Sequence, residues 1–153
     1  MHTCTHASTQ ANTPRLSALK RSLITRTHTP PPGQTYLLWK TDDNNAGSRT
    51  TRLWAQKVLI APGRVEQLGN ITELMDSSGL WWAPSFVSGG ALVEGPEVVR
   101  HGEYYYLFFA AGKYCQVSYA EGVARARSIW GPYEKMPVPL LSTGLTGCVG
   151  CWC

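Results

Sequence analysis

An all-β fold of antiparallel sheet is what this sequence predicts, and three observations predict it. Apolar runs of strand length recur roughly every ten residues, with turn-forming residues between them. The chain carries 15 Gly and 10 Pro, a punctuation that favours many short strands over long helices. In "RTTRLWAQKVLI" and "GVARARS" successive side chains fall on opposite faces, with Leu53 and Ala55 on one side and Arg52 and Trp54 on the other, as a pleated strand requires. Hydrophobic residues are 43% of 153, enough for the core of one domain.

Residues 1–35 read as an irregular or disordered segment. "MHTCTHASTQANTPRLS" is small and polar, and "THTPPPGQT" carries three prolines, which hold the chain extended. Leu16, Leu19 and Leu23 have helical spacing over barely two turns. The Arg- and Ser-rich, acid-free composition also suits an organelle transit peptide, but the prolines favour disorder.

Residues 36–141 form the predicted folded unit. "YLLWK" is a short apolar strand and "DDNNAGS" is turn chemistry. "RTTRLWAQKVLI" is a strand and "APG" a turn; "RVEQLGNITELM" suits a strand or a short helix. "DSSGLWWAPSFVSGG" is a loop with adjacent tryptophans, Trp81 and Trp82. From Val93 the rhythm resumes: "EGPEVVR" is a strand, "HGE" a tight turn, "YYYLFFAA" and "GVARARS" further strands, "WGPYEK" a turn. Two blocks of about 45 residues match the length of a four-stranded propeller blade. Residues 142–153 form an irregular, Cys-rich tail.

Charge and cysteines exclude several functions. Residues 1–41 hold five Lys or Arg and no acid, while the rest has nine basic and ten acidic residues. The excess of +4 thus belongs to the N-terminal segment, and no basic cluster follows Lys40 to bind nucleic acid. No run of about 18 apolar residues is present to cross a membrane, and the N-terminus has no apolar stretch of a secretory signal peptide. Localisation is therefore left open. Cys4, Cys115, Cys148, Cys151 and Cys153 are odd in number and crowd the tail, unlike a disulfide framework. "CVGCWC" contains one C-x-x-C. A structural zinc needs four ligands, which only His2, Cys4 and His6 at the opposite terminus would complete. No metal or cofactor is expected.

Glu94 is the candidate for chemistry. It stands beside Gly95, which has no side chain, and Pro96, which gives the ladder no N–H. Apolar neighbours such as Val93, Trp81, Trp82 and the Tyr104–Tyr106 run would favour a protonated carboxyl, the form a general acid needs. A solvated turn glutamate is the plain alternative, and Glu97 is a rival. Among the aromatics, core packing accounts best for Trp39 and Trp54. Trp81 and Trp82, in the loop before Glu94, are equally suited to stack on sugar rings.

"VEGPEVVRHGEYYYLFFAAGKYCQVSYAEGVARARSIWGPYEK" resembles family 43 of the glycoside hydrolases, as do "TYLLWKTDDN" and "RLWAQKVL". The resemblance runs from about Thr35 to Leu141. In that family a Glu-(Gly/Ala)-Pro step opens the third blade of a five-bladed β-propeller. The chain is thus expected to form about two antiparallel four-stranded blades of such a propeller. The resemblance implies hydrolysis of arabinose- or xylose-containing polysaccharides with inversion, by an aspartate base, an aspartate that tunes the acid, and a glutamate acid. Glu94 matches the acid. The tuning aspartate should stand before "YLLWK", where residues 1–41 contain no acid, and Asp42 and Asp43 follow that strand in a turn. The first blade, which bears the base, and the histidine region that helps hold a central ion in family members have no counterpart here. The expectation is an incomplete, inactive glycosidase-like chain; the alternative is a noncatalytic carbohydrate-binding or interaction module.

Overall fold

The computed structural model describes residues 34–41, 51–83, 92–112, 116 and 118–142. The expectations for Asp42, Asp43, the five cysteines and the tail lie outside these residues. Every regular element among the described residues is a strand, and all pairing is antiparallel.

The first sheet has the order β1-β2-β3, with β1 at Thr35–Lys40, β2 at Arg52–Ala61 and β3 at Arg64–Asp76. Alternation in β1 sends Tyr36 and Leu38 inward. The Pro62-Gly63 turn joins β2 to β3, so "RVEQLGNITELM" is strand and not helix. Its ambiguity in sequence has a structural cause. The β2–β3 ladder steps from Ala55↔Thr72 to Lys57↔Leu68, so β3 spends four residues where β2 spends two. Gly69 sits in this bulge at φ +72°, a conformation that costs glycine nothing, and Gln56 Nε2 donates to its carbonyl at 3.1 Å. Alternation is lost across the bulge.

The second sheet has the order β4-β5-β6-β7, with β8 also on β6; the strands are β4 Val93–His101, β5 Tyr104–Ala111, β6 Ala120–Ala126, β7 Glu134–Lys135 and β8 Leu141–Ser142. β7 and β8 together occupy the fourth position. Between the pairs Ala124↔Lys135 and Glu121↔Leu141, β6 moves three residues and the outer segment six. Pro137 and Pro139 lie in that excess, while Met136 and Leu140 still donate to Val123 and Glu121 carbonyls at 2.9 and 2.8 Å. Prolines are tolerated there because an outer strand has one side without a ladder. The second sheet thus fills four strand positions, as expected for a blade; the first has three strands among the described residues.

The sheets pack face to face. Tyr36, Leu38, Leu53, Ala55 and Leu74 of the first meet Val93, Val98, Leu107, Phe109 and Ala124 of the second in one core. Trp39 and Trp54 do not belong to it. They stand directly opposite each other on β1 and β2, half-buried on the side away from Leu38 and Leu53. The parity of the strands dictates this, since Leu38 and Leu53 take the inward positions.

Candidate active site

Glu94 lies at the start of β4, the strand at one edge of the second sheet. Its place follows from local sequence. Gly95 takes φ +59° with open space around it, and Pro96 follows. The β4–β5 ladder consequently jumps from Glu94↔Ala110 to Glu97↔Phe108. This bulge re-aims the strand end and leaves the glutamate side chain 27% exposed.

Two donors hold the carboxylate. The Tyr119 hydroxyl donates to Oε1 at 3.1 Å, and Lys40 Nζ, from β1, approaches Oε2 at 3.4 Å. A cation and a phenol thus stand against the carboxylate beside the buried Val93. Neither was singled out from sequence. Lys40 sits 54 residues away in the chain and reaches Glu94 only because the end of β1 packs against the start of β4.

A further carboxylate, Glu121, escaped the sequence reading. The register Glu94↔Ala110↔Glu121 puts both glutamates on one face of the sheet, with an alanine between them. Glu97 is on the same face, two strands from Val123. Burial pushes the Glu121 carboxyl up, and the negative charge of Glu97 adds to the effect. The alternation in "AEGVARA" places Glu121 and Val123 together, but only the strand register could align Glu121 with Glu94.

The two tryptophans part company. Trp82 is buried and lies against Phe109, ring centroids 6.4 Å apart and planes at 22°. At 9% exposed it belongs to the core cluster with Val93 and Phe109. Its Nε1 has no hydrogen-bond partner among the described residues. Trp81 is 74% exposed, and its Nε1 donates to the Pro137 carbonyl at 2.9 Å. Pro137 belongs to the fourth strand position and Glu94 to the first. With neighbouring strands about 4.8 Å apart, the structure does not bring Trp81 and Glu94 together.

Among the described residues no group of three or more His, Cys, Asp or Glu is placed to hold a metal ion. Likewise, among these residues no helix is long and apolar enough to cross a membrane.

Two antiparallel sheets packed through their faces form a partial β-propeller of the kind the family-43 structures carry. The chain belongs to glycosyl hydrolases family 43, whose family model matches residues 20–144. A non-reducing end alpha-L-arabinofuranosidase of Bacteroides ovatus is 44% identical over 55 residues, 35% of this chain and 10% of that protein. A xylan 1,3-beta-xylosidase of a Vibrio species is 38% identical over 72 residues, 44% of this chain and 13% of that protein. Among solved structures, a thermostable family-43 glycoside hydrolase superposes with a TM-score of 0.62 at 24% identity, covering 74% of this chain and 36% of that one. The xylan beta-1,4-xylosidase from Bacillus halodurans gives 0.58 at 24% identity, with 74% and 20% covered. The chain thus spans well under half of each of these relatives.

Proposed function

We propose that this chain carries the general-acid portion of an inverting glycoside hydrolase acting on arabinose- or xylose-containing polysaccharides, and that Glu94 is the acid. The observation that carries the proposal is the setting of Glu94. Its carboxylate stands partly open at the head of an edge strand, with one donor on each oxygen, at the position matching the family's acid. Family membership supports the reaction class, and the arabinofuranosidase and xylosidase relatives support the sugar class.

In the proposed reaction protonated Glu94 gives its proton to the glycosidic oxygen as the C–O bond breaks. A separate base takes a proton from the water that attacks the anomeric carbon from the opposite face. Acid and base in such enzymes stand about 6.5–9.5 Å apart to leave room for that water. Glu121 shares a sheet face with Glu94 and offers no opposite-face geometry. We therefore propose that the 153-residue chain alone does not turn over. General acid help contributes about 10²–10⁴-fold, against at least about 10⁶-fold for typical enzymes.

The test has two arms. The chain alone is assayed on arabinan, xylan and aryl glycosides, with no hydrolysis expected. Residues 35–141 are then grafted into the matching positions of a family-43 enzyme, where activity is expected and Glu94→Gln should remove most of it. Robust turnover by the chain alone, or a graft indifferent to Glu94→Gln while Glu97→Gln abolishes activity, overturns the reading.

A noncatalytic carbohydrate-binding role is the second reading, and the exposed face of Trp81 favours it. It requires that xylan or arabinan retard the chain in affinity electrophoresis and that Trp81→Ala abolish the retardation.

A further inference from the structure

We propose that Lys40 and Thr51, both carried by the first sheet, are positioning residues for Glu94 on the second; this rests on the reading of Glu94 as the acid. The alignment of the acid then depends on how the two sheets dock.

Thr51 acts on the backbone. It is a buried polar residue, fixed by its own N–H donating to Ser77 Oγ at 3.0 Å and by its carbonyl accepting from Ser77 N at 2.9 Å. From that anchor its Oγ1 accepts the N–H of Val93 at 2.7 Å and donates to the Val93 carbonyl at 3.4 Å. Leu92 already accepts from Gly112 across the ladder, so the polar groups of Val93 face the open edge of β4. An edge strand otherwise leaves such groups without a strand partner. Thr51 fills that place and holds the residue immediately before Glu94.

Lys40 acts on the side chain. The last torsion of a glutamate is broad and weakly preferred, so a solvated carboxyl presents either oxygen in many directions. Here Tyr119 holds Oε1 from the same sheet and Lys40 holds Oε2 from the other. Two donors on two oxygens define the plane of the carboxyl. A proton donor must point at the glycosidic oxygen in a near-attack geometry, where a misplacement of about 1 Å can cost roughly 100-fold. The pair is only partly buried, with side chains 22% and 27% exposed, and the role proposed for Lys40 is orientation of the carboxyl.

The experiment begins on the 153-residue chain and needs no turnover. With ¹³Cδ-glutamate labelling, the Glu94 resonance is identified by its loss in Glu94→Gln. Lys40→Met should move that resonance and leave the other glutamates in place, and Lys40→Arg should return it towards wild type. Thr51→Val should speed exchange of the Val93 amide roughly tenfold, the loss of one buried hydrogen bond, and Thr51→Ser should restore protection. In the family-43 graft, Lys40→Met should lower kcat by about 10- to 100-fold with little change in KM. An unmoved Glu94 resonance in Lys40→Met, or unchanged Val93 exchange in Thr51→Val, overturns the corresponding role. A graft whose rate ignores Glu94→Gln overturns the acid reading itself and the positioning role with it. A graft sensitive to Glu94→Gln but not to Lys40→Met overturns the positioning role alone.

Discussion

Gly122→Ala should destabilise the fold although it adds a single methyl group to a strand. Gly122 lies on β6 opposite Phe109. A Cβ built there meets Phe109 Cζ at 2.5 Å, Phe109 Cε2 at 2.6 Å and Trp82 Cη2 at 2.8 Å. All three are ring atoms of packed core side chains, so they cannot swing aside like the tip of a lysine. Overpacking of this kind costs about 1–3 kcal/mol. In a domain of this size each kcal/mol lowers Tm by about 4–8 °C. The assay is thermal and urea unfolding of wild type and variant, followed by circular dichroism. A second variant locates the cause. Trp82→Phe takes away the indole carbon Cη2 that meets the new methyl, so Gly122→Ala should cost less in a Trp82→Phe background than in wild type. An unchanged midpoint in Gly122→Ala would refute the packing of Trp82 against Phe109 over Gly122, and with it the assignment of Trp82 to the core.

Glu121 is raised by burial and by Glu97, so its stabilising effect is full below the ordinary glutamate range and lost as pH rises through the folded value. Glu121→Gln should therefore flatten the decline in stability from weakly acidic to neutral pH, read by urea unfolding at a series of pH values. For Asp76, burial opposes ionisation, but hydrogen bonds from the Ser78 hydroxyl and N–H and from Lys135 outweigh it and lower the value. Its contribution is present above the ordinary aspartate range and lost as pH falls through the folded value. Asp76→Asn should thus cost about 1 kcal/mol at neutral pH and little in strong acid, measured the same way. Leu59, Ile60, Val65 and Ile71 are exposed on the β2–β3 hairpin, and open strand edges invite pairing. Sedimentation should accordingly show self-association at micromolar concentration, and a compact monomer would contradict this.

Much of the second sheet was legible because its signals are local. "HGE" closes a hairpin between two apolar runs, and Gly102 at φ +59° is the residue that permits the turn. "EGP" marks the strand head and its bulge. The first sheet was harder to read. The bulge at Gly69 breaks the alternation on which a strand assignment depends, and parity alone does not say which face of β1 and β2 is covered, so the sequence leaves Trp39 and Trp54 indistinguishable from core residues. Trp81 and Trp82 are identical neighbours with opposite surroundings, because the turn after Leu80 points one ring at Phe109 and the other at solvent. Of the candidate site, the sequence singles out Glu94 alone. Lys40, Thr51 and Tyr119 reach it through sheet packing and strand register, which no short stretch of sequence encodes.

The assignment of Glu94 as a proton donor is tested most directly by leaving-group dependence. In the family-43 graft, kcat/KM is measured for aryl glycosides spanning a wide range of phenol pKa, in wild type and in Glu94→Gln. A working acid supplies the proton that poor leaving groups need. The wild-type plot should be shallow and the Glu94→Gln plot steep, the two converging at the most acidic phenols. Parallel plots, with the variant slower by one constant factor throughout, would contradict the assignment.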